Sequence, residues 1–281
     1  MSVLHGFGMG IATQNSAGET LDVFYPNPLS NIGDELAAVV SGLSGPLDND
    51  QLAELSKGFS AVGADEQAKL ADQLRASTGR VVATTLIDNA APASVADAYL
   101  KLHLLSHRKV EPHGTELEGL FGLLPNVAWT DQGAVCLSDL PQRQLDARLK
   151  GAVLEVASVD KFPKMTNYVV PSGVRIAHTA RVCLGAYLGE GTTVMHEGFI
   201  NFNGGTEGPG MIEGRISAGV WVGAGSDLGG GCSTMGTLSG GGNIIISVGR
   251  ECLIGANAGL GIPLGDRCTI EAGLFITAGT K

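Results

Sequence analysis

Charge is scarce in this chain: only 16% of its 281 residues are Asp, Glu, Lys or Arg, and aromatic residues make up just 5%. The charges present lean acidic, 28 against 18 basic for a net of -10, so no basic surface offers itself to a nucleic-acid backbone. The five cysteines (Cys136, Cys183, Cys232, Cys252, Cys268) contain no C-x-x-C pair and no zinc-ligand spacing. That pattern suits a reduced cytosolic protein better than a disulfide framework. No apolar run approaches membrane-spanning length, and no N-terminal stretch reads as a secretory signal. A soluble cytoplasmic protein with neither membrane nor nucleic acid as partner is expected. Three phosphate or nucleophile motifs are also missing: G-x-x-x-x-G-K-[ST], G-x-G-x-x-G between strand and helix, and G-x-S-x-G. The 42 glycines therefore need another explanation.

They find one in a period of six. From Ile176 onward an aliphatic or small residue returns every sixth position. The first run is Ile176, Val182, Leu188, Val194, Ile200, and the second Ile216, Val222, Leu228. A third reads Ile246, Cys252, Ala258, Leu264, Ile270, Ile276. Glycine tends to follow three places later, at Gly185, Gly191, Gly219, Gly225, Gly231, Gly249, Gly255, Gly261, Gly273 and Gly279. A period of six fits neither a helix nor simple strand alternation. It is the mark of hexapeptide repeats that wind into a left-handed parallel β-helix, three hexads closing one triangular coil. The periodic residue points into the prism, and glycine supplies a positive φ at its corners. Small residues two places before it (Ala186, Thr192, Ser226, Ala256) suit a narrow interior. Collagen would need glycine at every third position and more proline. A disordered tract would lack the aliphatic register.

The first part of the chain is different in kind. Residues 34–43, 49–59, 65–76 and 93–107 read as amphipathic helices, each with Asp, Asn or Ser at or near its start. Residues 80–87 and 153–159 read as strands. An α/β N-terminal domain over 1–165 is expected ahead of the β-helix over 166–281.

Two places break the hexad register. Ile200 to Ile216 is sixteen residues, four more than two hexads, so NFNGGTEGPGMIEGR is expected to leave the prism as a loop or bulge. Leu228 to Ile246 is eighteen, which keeps phase, but the inward positions would be Thr234 and Gly240 in a segment that is nearly all small or polar. Such a surface lets another backbone or a long thin ligand come close, or is an ordinary surface loop.

Few ionisable residues sit near these breaks. Glu213 and Arg215, in MIEGRIS, pair a carboxylate with a planar cationic fork. The carboxylate could act as a base toward an amine or attack a thioester itself, or the pair could be a surface ion pair worth little. His196 and Glu197 approach the first break, as a base for acyl transfer or as a hydrogen-bonded corner. His103 and His107 share a helix face at metal-ligand spacing, but no zincin glutamate accompanies them, and surface or capping histidines are the simpler reading.

The stretches SVDKFPKMTNYVVPSGVRI, RVCLGAYLGEGTTVMHEGFINFN, GPGMIEGRISAGV, GSDLGGGCSTMGTLSGGG and CLIGANAGLGIPLGDR resemble one known family. So do DAYLKLHLLSHR and GLFGLLPNVAWT in the first part. The family is the tetrahydrodipicolinate N-succinyltransferases, in the branch of actinobacteria and pseudomonads. The resemblance implies transfer of succinyl from succinyl-CoA to the amino group of ring-opened tetrahydrodipicolinate, giving N-succinyl-2-amino-6-oxopimelate and CoA in diaminopimelate and lysine synthesis. It also implies a homotrimer with active sites between neighbouring β-helices. The family's acyl-carrying glutamate falls on Glu213, as nucleophile or base, and its oxyanion-stabilising backbone position on Gly236. Its CoA contacts fall on Arg215, Gly230, Ser233, Ala256, Glu271, Ala272 and Gly279. Some relatives hold magnesium on the trimer axis with an Asp and a Glu. Glu197 matches the Glu, while His178–Thr179–Ala180 stands where the Asp is expected. Family members continue past the position of Lys281 with a capping segment, so a truncated chain is expected. The rival readings are a related hexapeptide acetyltransferase and a non-catalytic β-helix trimer.

Overall fold

The structure, a computed structural model, describes residues 4–237 and 243–281. The chain forms two compact units, one of Met1–Lys101 with Glu116–Pro163 and one of Leu102–Thr115 with Lys164–Lys281. The segment Leu102–Thr115, read in the sequence with the N-terminal part, belongs with the second unit.

The first unit is α/β. Its elements run β1 (Leu4–Gln14), β2 (Thr20–Phe24), β3 (Leu29–Ile32), α1 (Asp34–Val40), β4 (Gly45–Pro46), α2 (Asn49–Ala61), α3 (Asp65–Leu74) and β5 (Arg80–Leu86). Then follow α4 (Val95–Ser106), whose residues from Leu102 onward belong to the second unit, and α5 (Leu120–Leu123), β6 (Val127–Thr130), β7 (Gly133–Cys136), α6 (Leu140–Leu149) and β8 (Val156–Asp160). β1 pairs antiparallel with β2, β3 and β5, and β7-β6-β8 form a second antiparallel sheet. Helix α2 starts where the sequence says it should: the Asp48 carboxylate accepts from the Gln51 amide, and the Gln51 side chain accepts from the Asp48 amide. Its Leu52, Leu55 and Phe59 join Phe7 and Met9 of β1 in one apolar core. The sequence pointed to α1–α4, β5 and β8, but not to β1–β3, β6 or β7.

The second unit holds the repeat array, a left-handed parallel β-helix. Its first face stacks Arg175–Ile176, Thr192–Val194, Gly210–Ile212, Asp227–Leu228, Leu253–Ile254 and Thr269–Ile270. The second stacks Phe199–Ile200, Arg215–Ile216, Ser233–Thr234, Gly259–Gly261 and Phe275–Thr277. The third stacks Tyr187–Leu188, Gly205–Thr206, Trp221–Val222 and Ser247–Val248. Val182, Leu188, Val194, Ile200, Ile216, Val222 and Leu228 all point inward and are buried, as the periodicity requires.

Both register breaks turn out opposite to their reading. The stretch after Ile200 does not leave the prism. Thr206 and Ile212 continue the hexads as buried inward residues, paired to Leu188 and Val194 of the coil before. The mismatch is a contraction: the next inward residue after Ile212 is Ile216, four positions on instead of six, so this corner lacks two residues. The second break is the true insertion. Val248, not Ile246, pairs with Val222, so Thr234 to Val248 spans fourteen residues, eight beyond one hexad. Gly240, expected to point inward, lies outside the described residues.

That insertion corrects the third run. Val248, Ile254 and Leu260 occupy the inward strand positions, paired with Val222, Leu228 and Thr234. Ile246, Cys252 and Ala258 are buried two places earlier. A second contraction, Leu260 to Leu264, returns the chain to the expected phase for Ile270 and Ile276. The glycines misled because they serve two purposes. Gly185, Gly191, Gly219, Gly225, Gly231 and Gly273 are corners with positive φ, whereas Gly249, Gly255, Gly261 and Gly279 are not. Gly249 and Gly255 sit where coils touch: a Cβ on either would lie 2.4 Å from backbone of the next coil. The matching corners after Val248 and Ile254 are Glu251 (φ 56°) and Asn257 (φ 57°).

Candidate active site

One edge of the prism, between the first and second faces, gathers most of the nominated residues. It is formed by the corners that follow Val194, Ile212, Leu228, Ile254 and Ile270. Glu197, Glu213, Gly230, Ala256, Glu271 and Ala272 thus fall on successive coils of one line, although they are spread over some seventy-five residues of sequence. Arg215 and Ser233 stand beside it on the second face, paired in adjacent strands. Gly236 and Gly279 follow that face and lie at the next edge.

Glu213 occupies the contracted corner. The amides of Glu213 and Gly214 both donate to the Leu228 carbonyl, at 2.8 and 3.2 Å, and the Arg215 amide then donates to the Cys232 carbonyl at 2.8 Å. A full corner has room to turn; after Leu228, for example, the Cys232 amide closes back on the Gly229 carbonyl at 3.0 Å. Two missing residues remove that turn and hold Glu213 against the coil below. The fit depends on Gly214, where a Cβ would meet Cys232 Sγ at 2.2 Å and the Cys232 carbonyl oxygen at 2.8 Å. Neither Gly214 nor Cys232 was singled out from sequence. The signal that could have found them was the four-residue step from Ile212 to Ile216.

Two carboxylates converge above Gly230. The position a Cβ would take there is 3.5 Å from Glu213 Oε2 and 3.8 Å from Glu197 Oε2. Glu213 is half-buried and Glu197 exposed. The backbone under Glu197 is pinned from the coil before, since Arg181 Nη2 donates to the Glu197 carbonyl at 2.5 Å and Nε to the Gly198 carbonyl at 3.4 Å. Arg215 is held by a neutral partner, the Ser233 hydroxyl, which accepts from Nε at 3.1 Å and from Nη2 at 2.6 Å. Among the described residues no carboxylate pairs with it. At Gly236 a Cβ would stand 3.1 Å from the Ala218 carbonyl oxygen, so a side chain there would crowd the coil before. His196 lies exposed on the same edge as Glu197.

Magnesium takes oxygen ligands in near-octahedral geometry. Glu197 offers one carboxylate, and the corresponding corner one coil earlier offers His178–Thr179–Ala180. Among the described residues no three His, Cys, Asp or Glu side chains gather as a metal site. This donor set within the chain does not fit magnesium. His103 and His107 are not a surface pair: His103 is fully buried, its ring 5.9 Å from that of His107 and edge-on to Tyr168 at 5.3 Å.

Residues 124–164 match the family model described as tetrahydrodipicolinate N-succinyltransferase middle, and residues 245–278 that described as hexapeptide repeat of succinyl-transferase. A 2,3,4,5-tetrahydropyridine-2,6-dicarboxylate N-succinyltransferase of Pseudomonas putida is 63% identical, over 100% of this chain and 83% of its own length. One of Vibrio cholerae is 54% identical, over 98% of this chain and 82% of its own. Among solved structures, a putative 2,3,4,5-tetrahydropyridine-2-carboxylate N-succinyltransferase from Campylobacter jejuni superposes with a TM-score of 0.90 at 31% identity. That match covers 100% of this chain and 80% of the other.

Proposed function

The chain belongs to the tetrahydrodipicolinate N-succinyltransferase family, and from that premise we propose how its residues carry out the reaction. The enzyme moves succinyl from succinyl-CoA to the amino group of ring-opened tetrahydrodipicolinate, the succinylase step of diaminopimelate and lysine synthesis. The amine nitrogen forms a bond to the thioester carbonyl carbon, the C–S bond breaks, and CoA leaves as the thiol with the proton lost by nitrogen.

The observation that carries the site assignment is Glu213 at the contracted corner, level with the line of small residues along one edge. Glu213 supplies the carboxylate at the reacting carbon, taking the amine proton as base or holding the acyl group as an anhydride. Gly236, which lies on the next edge, offers its backbone N–H to the oxyanion from a neighbouring protomer of the trimer. The acyl donor runs along the edge toward the later coils, over Gly230, Ala256 and Ala272, with Arg215, Ser233 and Glu271 beside it and Gly279 reaching it from the next edge of a neighbouring protomer. Side-chain-poor corners let its arm lie against the backbone. The working form is a homotrimer, for which apolar side chains such as Met211 and Leu253, 45% and 50% exposed on the first face, offer contact surface. It works in the cytoplasm, where reducing conditions keep the five unpaired cysteines as thiols.

The test is thiol release from succinyl-CoA with tetrahydrodipicolinate, run alongside acetyl-CoA and a Glu213→Ala variant. Release with succinyl-CoA that falls by roughly 10²–10⁴-fold in the variant supports the assignment. Equal release with acetyl-CoA would favour an acetyltransferase, and a variant as active as the wild type would remove Glu213 from the chemistry. A rapid-quench mass gain of one succinyl group on Glu213 would identify it as the nucleophile.

A further inference from the structure

Three arginines stand near Glu213, on its own coil or earlier ones, and the structure tells them apart. Arg181 is committed to the Glu197 and Gly198 carbonyls. Arg215 is committed to Ser233. Arg175 is exposed on the first face, and among the described residues its guanidinium makes no hydrogen bond or ion pair. It lines a cavity of about 250 Å³ with Thr193 and Met195, beside the edge that carries His196 and Glu197.

We infer that Arg175 reads the distal carboxylate of the amine acceptor and so sets the enzyme's preference for a diacid. This rests on the reading above, in which the acyl donor extends from Glu213 toward the later coils. An acceptor amine attacking from the other side must then lie over the earlier coils. Along the first face Arg175 pairs with Thr193, and Thr193 with Met211, two residues before Glu213. Two strand spacings, with the two residues from Met211 on to Glu213, place the Arg175 backbone about 12 Å from that of Glu213. A seven-carbon diacid spans most of that distance, and the arginine side chain covers the rest. In a chain with so few cations, an arginine left unpaired beside a cavity is matched to a planar anion, which its fork binds through two parallel hydrogen bonds. Thr193 adds a hydroxyl from the next coil.

The experiment compares 2-aminopimelate with 2-aminoheptanoate, which carries a methyl group in place of the distal carboxylate, as acceptors for wild type, Arg175→Met and Arg175→Lys. Both turnover and calorimetric binding of each acceptor are measured. Wild type favours the diacid by roughly 10–100-fold in kcat/KM, the range for a hydrogen-bonded charge. Arg175→Met loses that preference by raising KM for the diacid, while KM for succinyl-CoA and kcat/KM for the monoacid stay within a few-fold. Arg175→Lys restores part of it, as a point charge without the fork. Arg175→Met that keeps the full preference, or that loses both acceptors equally, overturns the assignment. Diacid-selective binding that depends on Arg175, in a protein that releases no thiol, would uphold the assignment and overturn the succinyl-transfer reading instead.

Discussion

Replacing Gly214 with alanine should damage turnover far more than a single methyl ordinarily does. The added Cβ would stand 2.2 Å from Cys232 Sγ, 2.8 Å from the Cys232 carbonyl oxygen and 3.0 Å from that of Gly229. Unstrained carbon contacts lie at roughly 3.5–4.0 Å, so the methyl overlaps the sulfur by more than an ångström. The corner cannot swing away, because the amides of Glu213 and Gly214 share the Leu228 carbonyl and the Arg215 amide is bound to Cys232. Overpacking of this kind costs about 1–3 kcal/mol, a fall in Tm of roughly 2–12 °C for a chain of this size. The displacement is passed directly to Glu213, and about 1 Å of misplacement at a reacting group lowers kcat by roughly 10²-fold. Thermal unfolding by circular dichroism and thiol release from succinyl-CoA measure the two effects. Adding Cys232→Ala removes the sulfur but leaves both carbonyl contacts, so the double variant should regain part of the activity. Gly214→Ala with wild-type Tm and kcat would refute the reasoning. A double variant as impaired as the two single changes combined would show that Cys232 is not what the methyl strikes.

Four further outcomes follow from particular contacts. Arg250 donates to Glu207 across an intervening coil and, with the Ala224 amide, pulls the Glu207 carboxyl from 4.5 to about 2. A carboxylate depressed in the folded state adds stability above its ordinary value that disappears as pH falls through about 2. Glu207→Gln should therefore flatten the acid limb of the Tm–pH curve while changing neutral stability by less than about 1 kcal/mol, since the pair is partly solvated; an unchanged acid limb would contradict this. Ser138, through its hydroxyl and then its amide, lowers the Cys136 thiol, while burial raises Cys232 to about 11. Iodoacetamide at mildly alkaline pH should mark Cys136 well before Cys232 in peptide maps, and the reverse order would contradict the burial assigned here. Glu251 holds φ 56° at a corner without being glycine. Glu251→Gly should raise stability by up to about 1 kcal/mol, the excess of left-handed strain over glycine's entropy. Gly231→Ala, whose Cβ would meet Asn257 Oδ1 at 2.4 Å, should lower Tm.

Much of the fold was legible in the sequence because the prism buries one residue in six and little else can produce that period. Where legibility failed, glycine was the cause. At Gly249 and Gly255 it answers crowding between coils, and at Gly225 and Gly231 it answers a positive φ, so a register built on glycine slipped by two residues. The same ambiguity hid β1, whose Gly8 lies under the Tyr25 ring, with a Cβ position 2.6 Å from Cδ1. Propensity reads that residue as a turn, when it is a strand making room for an aromatic. Glu213, Arg215, His196 and Glu197 stood out as rare charges, but which of them meet did not. Glu197 and Gly230 become neighbours of Glu213 only once coils of eighteen and sixteen residues are stacked in true register.

Because the coils stack through strand pairing with their neighbours, distances along the Glu213 edge come in whole steps of about 4.8 Å. Three such steps separate the coil of Glu213 from that of Ala272. The length of acyl carrier that this edge can measure is thus an integer. A longer or shorter carrier would be matched by gaining or losing an entire coil, a change that leaves every interior contact in kind. No point substitution can make a fractional adjustment, and lineages that changed their donor would differ here by blocks of sequence rather than by single residues.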